Sequence, residues 1–312
     1  MRVTVAVCTF NRARLLDNTL DAFMRLKIPS DVSWEVLVVN NNSTDDTEAV
    51  VRNYVGRLPI RSVFEGVPGK SRAANRAVQE ASGELVLWTD DDVLVDEQWL
   101  TEYVAAARRF PEASFFGGTV DPWFESAAPN WVLQNIDLLS EPYALTQHGT
   151  NIVALDQQAV VGANMALRLD ALRRFPFDAS LGPTGSRALR GEETDLLARM
   201  REAGLSGMWV GSARVRHFVA SERMQSSYLW HWYGGLGTYV AHREGAKPDV
   251  ARVFGAPRWA ISKYAGLLAK YCLLTPTRSS AWLRALREAA LMRGYISEAR
   301  RLTATPSLPA KS

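Results

Sequence analysis

The sequence predicts an α/β fold: a parallel sheet flanked by helices, followed by a helical C-terminal extension. Three observations carry this. Short apolar or β-branched runs alternate with helical periodicity over the first 120 residues. Each of those runs ends in a polar loop. From Met224 onward only helical patterns remain. Strand-helix-strand units of this length require right-handed crossovers in one parallel sheet.

The elements follow in order. Val3–Val7, Glu35–Val39, Ile60–Phe64 and Glu84–Trp88 read as buried strands. Ala13–Leu26, Thr44–Val55 and Ser71–Ala81 read as the helices between them, the second opened by the capping residues Thr44-Asp45-Asp46-Thr47-Glu48. Phe115–Val120 is a further strand. Pro122, Pro129 and Pro142 then punctuate a Trp-rich stretch without clear period, an irregular lobe. Val160–Leu169 reads as a strand and Gly191–Ala203 as a helix closed by Gly204. Met208–Val210 and Ala213–His217 read as two short strands. Met224–Arg243, Pro257–Leu274 and Ser280–Leu302 are helical.

Composition narrows the class. With 312 residues and 47% hydrophobic content the chain can bury a sizeable core, which excludes a disordered or fibrous protein. Cys8 and Cys272 lie far apart, so neither a disulfide framework nor a four-cysteine metal site is expected, and a reducing compartment is. No secretory leader is expected ahead of the first apolar run. The most apolar helix, Trp259–Leu274, is broken by Lys263 and Lys270, so no membrane span is expected. The chain is expected in the cytoplasm or at the cytoplasmic face of a membrane. Net charge is +3, but residues 246–312 hold 12 Lys or Arg against 3 Asp or Glu, leaving −6 on the remainder. A basic tail on an acidic body fits a surface that meets lipid headgroups or an anionic substrate; a solvated helical face fits equally. Nucleic acid is not an expected partner.

Three motifs fail. Gly66-Val67-Pro68-Gly69-Lys70-Ser71 resembles the end of a phosphate-binding loop, but Phe64 occupies the required first glycine. No G-x-G-x-x-G follows the first strand, and Asp90-Asp91-Asp92 lacks the later ligands of a calcium loop.

Ligands of open parallel sheets bind outside the carboxyl ends of the strands. There, Asp90, Asp91 and Asp92 concentrate negative charge, which a hard divalent cation, Mn²⁺ or Mg²⁺, would neutralise; a solvated acidic turn is the plain alternative. Asn11, Asn40 and Asn42 can each donate to and accept from a base or ribose. Lys70 and Arg72, at a helix start, can meet phosphate oxygens. Glu192, Glu193 and Asp195 open a helix, where they either complement its dipole or supply a general base.

These segments together resemble glycosyltransferase family 2 on the GT-A nucleotide-sugar fold, a Rossmann-like, mostly parallel sheet. The matching runs are Val5–Arg12, Glu35–Asp45, Gly69–Asn75, Gly83–Asp92, Gly162–Met165 and Gly191–Leu196, in the same order and spacing, over roughly residues 1–220. The resemblance implies an inverting, nucleoside-diphosphate-sugar-dependent transferase, with UDP the favoured carrier and a saccharide or lipid-linked saccharide as acceptor. It implies that residues 1–120 bind donor and that 121–220 bind acceptor; 221–312, outside the resemblance, read as a helical region that can rest on a membrane or dock on the catalytic domain. Asp90 and Asp92 match the outer positions of the family's D-x-D motif, Asp92 as metal ligand. Glu193 matches the general base, Glu192 an acceptor contact, and Asp195 joins them as a catalytic candidate. Thr9, Asn11, Arg12, Asn40, Asn42, Lys70, Asn75, Asp90, Asp91 and Arg223 are implied at the donor. Trp123, Gly162, Asn164 and Glu192 are implied at the acceptor, and His217 as a second metal ligand.

The chain departs from the family at three places. Asn40 stands where aspartate is common, Ala74 where arginine is, and Glu193 lengthens the base by one methylene. A nucleotidyltransferase and a non-catalytic sugar-nucleotide scaffold are the alternatives. The stripe Ile261, Tyr264, Leu268 and Tyr271 on the Pro257–Leu274 helix can rest on lipid or dock on protein.

Overall fold

The computed structural model describes residues 1–156, 158–184, 187–189, 191–245 and 250–304. Two compact units result: Met1–Trp123 with Ala144–Phe218, and Phe124–Tyr143 with Val219 onward. The proline-punctuated stretch Phe124–Tyr143 therefore groups with the C-terminal helices.

In the first unit, β1 (Arg2–Thr9), α1 (Ala13–Phe23), β2 (Ser33–Asn40), α2 (Thr47–Tyr54), β3 (Ile60–Phe64), α3 (Lys70–Glu80) and β4 (Leu85–Asp90) alternate as the hydrophobic pattern requires. Val3 to Val7 are buried without interruption, as expected of a strand covered on both faces. The strands run parallel in the order β3-β2-β1-β4. Their register aligns Thr9 with Asn40, Asn40 with Phe64 and Cys8 with Asp90, so the polar ends of the strands form one row.

The chain continues through β5 (Val93–Val95), α4 (Trp99–Arg109), β6 (Ala113–Phe124), α5 (Asn130–Leu133), α6 (Ser140–Tyr143), β7 (Ile152–Ala154), β8 (Met165–Arg168), α7 (Leu169–Arg174), β9 (Gly182–Thr184), β10 (Arg187–Leu189), α8 (Glu192–Glu202) and β11 (Ser206–Val219). Beyond β4 the sheet continues as β8-β6-β11-β5, with β7 also on β11, and β8 pairs antiparallel with both β4 and β6. Trp209, Phe115, Leu167 and Leu196 belong to the core on one face of the sheet. Phe23 stacks on Trp99 at 6.4 Å elsewhere in the same unit.

Local differences from the sequence expectation have physical causes. Helix α2 starts at Thr47 because Asp45 Oδ1 accepts the Thr47 N–H (3.2 Å) and hydroxyl (2.5 Å), turning the chain just before it. The expected strand Val160–Leu169 is a 3₁₀ turn at Gly162–Asn164 followed by β8. The two short strands expected at Met208–Val210 and Ala213–His217 are one, β11. Gly211, which looks like a breaker, lies where a Cβ would sit 2.1 Å from the Gly149 carbonyl oxygen: it admits a crossing segment without ending the strand.

The second unit adds α9 (Ser226–Glu244), β12 (Arg252–Val253), β13 (Ala256–Pro257), α10 (Arg258–Leu274) and α11 (Ser280–Ala304). Helices α9 and α11 meet through glycine. A Cβ on Gly237 would lie 1.9 Å from the Leu291 carbonyl oxygen, and one on Gly294 1.8 Å from that of Gly234. Ile261 and Tyr264 of α10 pack beside the core of Tyr295, Ile296 and Ala299, and Tyr271 meets Trp230 at 5.2 Å. The apolar stripe of α10 is thus turned onto protein. Among the described residues no helix is long and apolar enough to cross a membrane.

Candidate active site

The row of strand ends, the Gly162–Asn164 turn, the start of α8 and the end of β11 build one site in the first unit. Its acids are held by two cations. Arg12 Nη1 donates to Asp91 Oδ1 and Asp92 Oδ2, both at 3.0 Å. Lys70 Nζ lies 2.8 Å from Glu193 Oε1, 3.3 Å from Glu192 Oε1 and 3.5 Å from Asp90 Oδ1.

Backbone geometry sets these positions. Gly191, at φ 109°, turns the chain into α8 so that its first residues, Glu192 and Glu193, enter the site. Gly162 leaves room for the base candidate: a Cβ there would stand 2.2 Å from Glu193 Oε1. Asn41, absent from the sequence expectation, fixes the loop ahead of Lys70. It is buried, its Oδ1 accepts from Gly69 N (2.8 Å), and its Nδ2 donates to the Glu65 and Val67 carbonyls. Its only signal in sequence is a place in an Asn triplet.

Burial raises the Glu193 carboxyl above the ordinary range; Lys70 opposes this and Glu192 adds to it. Burial pushes Glu192 upward too, but Lys70 together with hydrogen bonds from the backbone and Glu193 holds that group below the ordinary value. Burial also works against the charge on Lys70, yet Asp90, Glu193 and Glu192 keep it firmly protonated. Asp91 is pushed up to about 6 by burial, against Arg12 and with the help of Asp92. One cation among three carboxylates leaves net negative charge at the sheet edge.

Asp90, Asp92 and His217 bring one ligand atom each within 4.8 Å of one another, His217 Nε2 lying 3.3 Å from Asp92 Oδ1. Asp92 and His217 are buried. Carboxylate oxygens with one imidazole nitrogen are a donor set that suits Mn²⁺ or Mg²⁺, so these residues fit a divalent ion.

Beside them lies a small cleft open to solvent. Lys70, Asp90, Glu192 and Glu193 give it a charged wall; Cys8, Trp88, Met165 and Phe177 give it an apolar one. None of the apolar four is singled out by the sequence, because each looks like ordinary strand or loop packing. Burial lifts the Cys8 thiol to about 12, which disfavours its thiolate.

Other expected residues are placed differently. Asn164 is fully buried: its Oδ1 accepts from Trp99 Nε1 (2.7 Å) and Tyr103 Oη (2.8 Å), and its Nδ2 donates to the Thr119 and Ala213 carbonyls. Every side-chain hydrogen-bonding position is filled, so Asn164 braces the core and is not an acceptor contact. Asp195 pairs with Arg199 one turn along α8 (2.8 Å), an interaction of the helix surface. Asn75 bonds both the N–H and the carbonyl of Phe177, anchoring one wall of the cleft. Asn40 is also committed, accepting from Ser43 N and donating to Glu48 Oε1 (2.7 Å). Asn11 Oδ1 accepts from Thr44 N, and Asn11 and Asn42 hold left-handed backbone at φ 51° and 65°. Thr9 is buried at the end of β1. Trp123 packs edge-on against Phe218, the residue after His217, at 5.0 Å. Arg223 belongs to the second unit.

Comparison with known proteins settles the family. The family model described as Glycosyl transferase family 2 matches residues 4–175, more than half the chain. The chain belongs to glycosyl transferase family 2. Among curated relatives of this family 2 protein, the succinoglycan biosynthesis protein ExoM of Rhizobium meliloti is 27% identical over 237 residues, covering 73% of this chain and 71% of ExoM. The validoxylamine A glucosyltransferase of Streptomyces hygroscopicus is 37% identical over 106 residues, 33% of this chain and 25% of that protein.

Solved structures share the GT-A fold. The mannosyltransferase PcManGT of Pyrobaculum calidifontis, solved with GDP-Man and Mn²⁺, superposes with a TM-score of 0.55 at 21% identity, covering 99% of this chain and 76% of its own. TarS 1–349 of S. aureus gives 0.53 at 15% identity, covering 95% and 91%, and has also been solved with UDP-GlcNAc.

Proposed function

We propose that this family 2 glycosyltransferase moves a sugar, with inversion, from a nucleoside-diphosphate sugar to a hydroxyl of a saccharide or lipid-linked saccharide. The observation that carries this is one half-buried carboxylate, Glu193, beside a cation and within one cleft of the Asp90–Asp92 strand end. The donor complexes of TarS and PcManGT support a nucleotide-sugar ligand, and UDP-sugars are the first to test.

In the reaction, the acceptor oxygen bonds to the anomeric carbon while its proton passes to a Glu193 oxygen. The bond from that carbon to the diphosphate breaks on the opposite face, and its electron pair leaves with the diphosphate. One displacement inverts the configuration. Lys70 keeps the Glu193 carboxylate ionised against its burial and offers a positive charge beside the leaving group. Asp90, Asp92 and His217 would hold Mn²⁺ or Mg²⁺, which when bound neutralises charge on the diphosphate. A positioned base contributes about 10²–10⁴-fold, so orientation within the cleft supplies much of the rest.

A panel of UDP- and GDP-sugars incubated with Mn²⁺ and a saccharide acceptor tests this. Release of nucleoside diphosphate with transfer is expected; pyrophosphate would indicate a nucleotidyltransferase, and neither product a scaffold. Glu193→Gln is expected to lower kcat by about 10²–10⁴-fold with donor binding retained. Asp92→Asn is expected to abolish Mn²⁺-dependent donor binding. Full turnover by Glu193→Gln assigns the base elsewhere.

A further inference from the structure

The second unit presents a surface whose chemistry fits a different partner from sugar or nucleotide. Between residues 250 and 287 the sequence holds seven Lys or Arg and no Asp or Glu. Helix α10 turns its apolar stripe inward, so the side left to solvent should be polar. It is not. Trp259, Lys263, Gly266, Lys270 and Leu273 recur at helical spacing along that exposed side, flanked by Ala265, Ala269 and Cys272. Trp259 is 46% exposed and Leu273 79%. From Trp259 to Leu273 the stripe is about 21 Å long, with an apolar residue at either end and the lysines between them.

Directly before this helix, the β12–β13 hairpin puts Phe254 at its tip, 87% exposed, with Val253 beside it at 39%. Phe254 stands at φ 48°, a left-handed conformation that disfavours a bulky side chain. An aromatic ring held in solvent at a strained tip adds nothing to packing. Arg258, Lys263, Lys270 and Arg284 are exposed, and among the described residues they pair with no carboxylate.

We infer that the hairpin tip and the outer side of α10 form a docking surface for an anionic lipid bilayer. A cationic surface with protruding Phe254 and Leu273, and with Trp259 half-covered by Tyr295 between them, is complementary to a negatively charged interface: Phe254 and Leu273 enter the headgroup–acyl boundary and the lysines meet phosphates. A protein partner would meet four unpaired cations, Arg258, Lys263, Lys270 and Arg284, with no alternation of charge along α10 to fix its register. The helix lies on the membrane and does not span it. This inference is independent of the transfer reaction, because lipid binding is read without donor or acceptor.

The test is co-sedimentation of the full chain with vesicles of phosphatidylcholine alone or mixed with phosphatidylglycerol, at low and high salt. Binding is expected to the mixed vesicles only, and to weaken with salt. Lys263→Glu with Lys270→Glu should weaken partitioning about 25-fold or more, at about five-fold per cation. Phe254→Asn and Leu273→Ser should each weaken it about ten-fold. Asparagine tolerates the left-handed backbone, so Phe254→Asn should fold at least as well as the parent, and an unchanged thermal midpoint separates lost binding from lost structure. Failure of the parent chain to sediment with mixed vesicles overturns the inference. So does equal sedimentation of all variants. A dimer in size-exclusion chromatography that Phe254→Asn converts to monomer would instead assign the surface to a second copy.

Discussion

At the scale of single residues, charge in the site is arranged around Lys70. It touches three carboxylates, and its loss leaves the half-buried Glu193 without its main stabilising partner. The carboxylate of Glu193 is the active form of a base, so turnover should rise with pH through the raised pKa of Glu193. Lys70→Met should move that acidic limb to higher pH, which a pH–rate profile of the two proteins measures. A role for Lys70 in structure alone would leave the limb in place.

Asn40 makes a second case. Its amide donates to Glu48, and an aspartate there would set two carboxylates 2.7 Å apart. Asn40→Asp should cost about 1–3 kcal/mol in a denaturant titration, even though aspartate is the commoner residue of the resembling family at that position. The choice of asparagine thus follows from its neighbour on α2.

At the scale of elements, one glycine lets two helices meet and another faces open space. Gly294→Ala forces a methyl group against the Gly234 backbone and should destabilise the second unit by about 1–3 kcal/mol. Gly266→Ala, on the open side of α10 with nothing within 4 Å, should instead stabilise it by about 0.5–1 kcal/mol. Thermal unfolding of the two variants distinguishes contact from helix propensity. In the sequence these glycines look alike, as isolated breakers in helical runs; only the partner helix tells them apart.

At the scale of the whole molecule, acid stability depends on ties such as Glu35. Burial would raise its carboxyl, but hydrogen bonds from Arg61, Ser82 and Thr4 bring it down to about 2. These partners join β2 to β1, β3 and the segment after α3. A depressed carboxylate stabilises the fold above its unfolded pKa, so this contribution is complete above about pH 4.5 and is lost as pH falls toward 2. Arg61→Met should flatten the fall in stability over that window, measured by denaturant titration at successive pH values.

Much of the fold was legible in the sequence because it depends on local periodicity. Val3–Val7 or Val36–Val39 can satisfy their backbone and bury their side chains in few ways, whereas Ile60–Phe64, also read as buried, is the edge strand β3 and buries no residue fully; polar residues at the strand ends mark where ligands can approach. Asp90–Asp92, Lys70 and the acids that open α8 are marked as candidates by their place at a strand end or a helix start, and His217 only by the family resemblance. What tertiary structure alone decided concerns groups brought together from distant positions: Asn164 drawn into the core, Cys8 and Trp88 turned into the cleft, Asn41 bracing the loop before Lys70, and the apolar stripe of α10 turned inward while Leu273 faces out. Hydrophobic periodicity states that a face must be covered, but which surface covers it depends on long-range packing that no local pattern encodes.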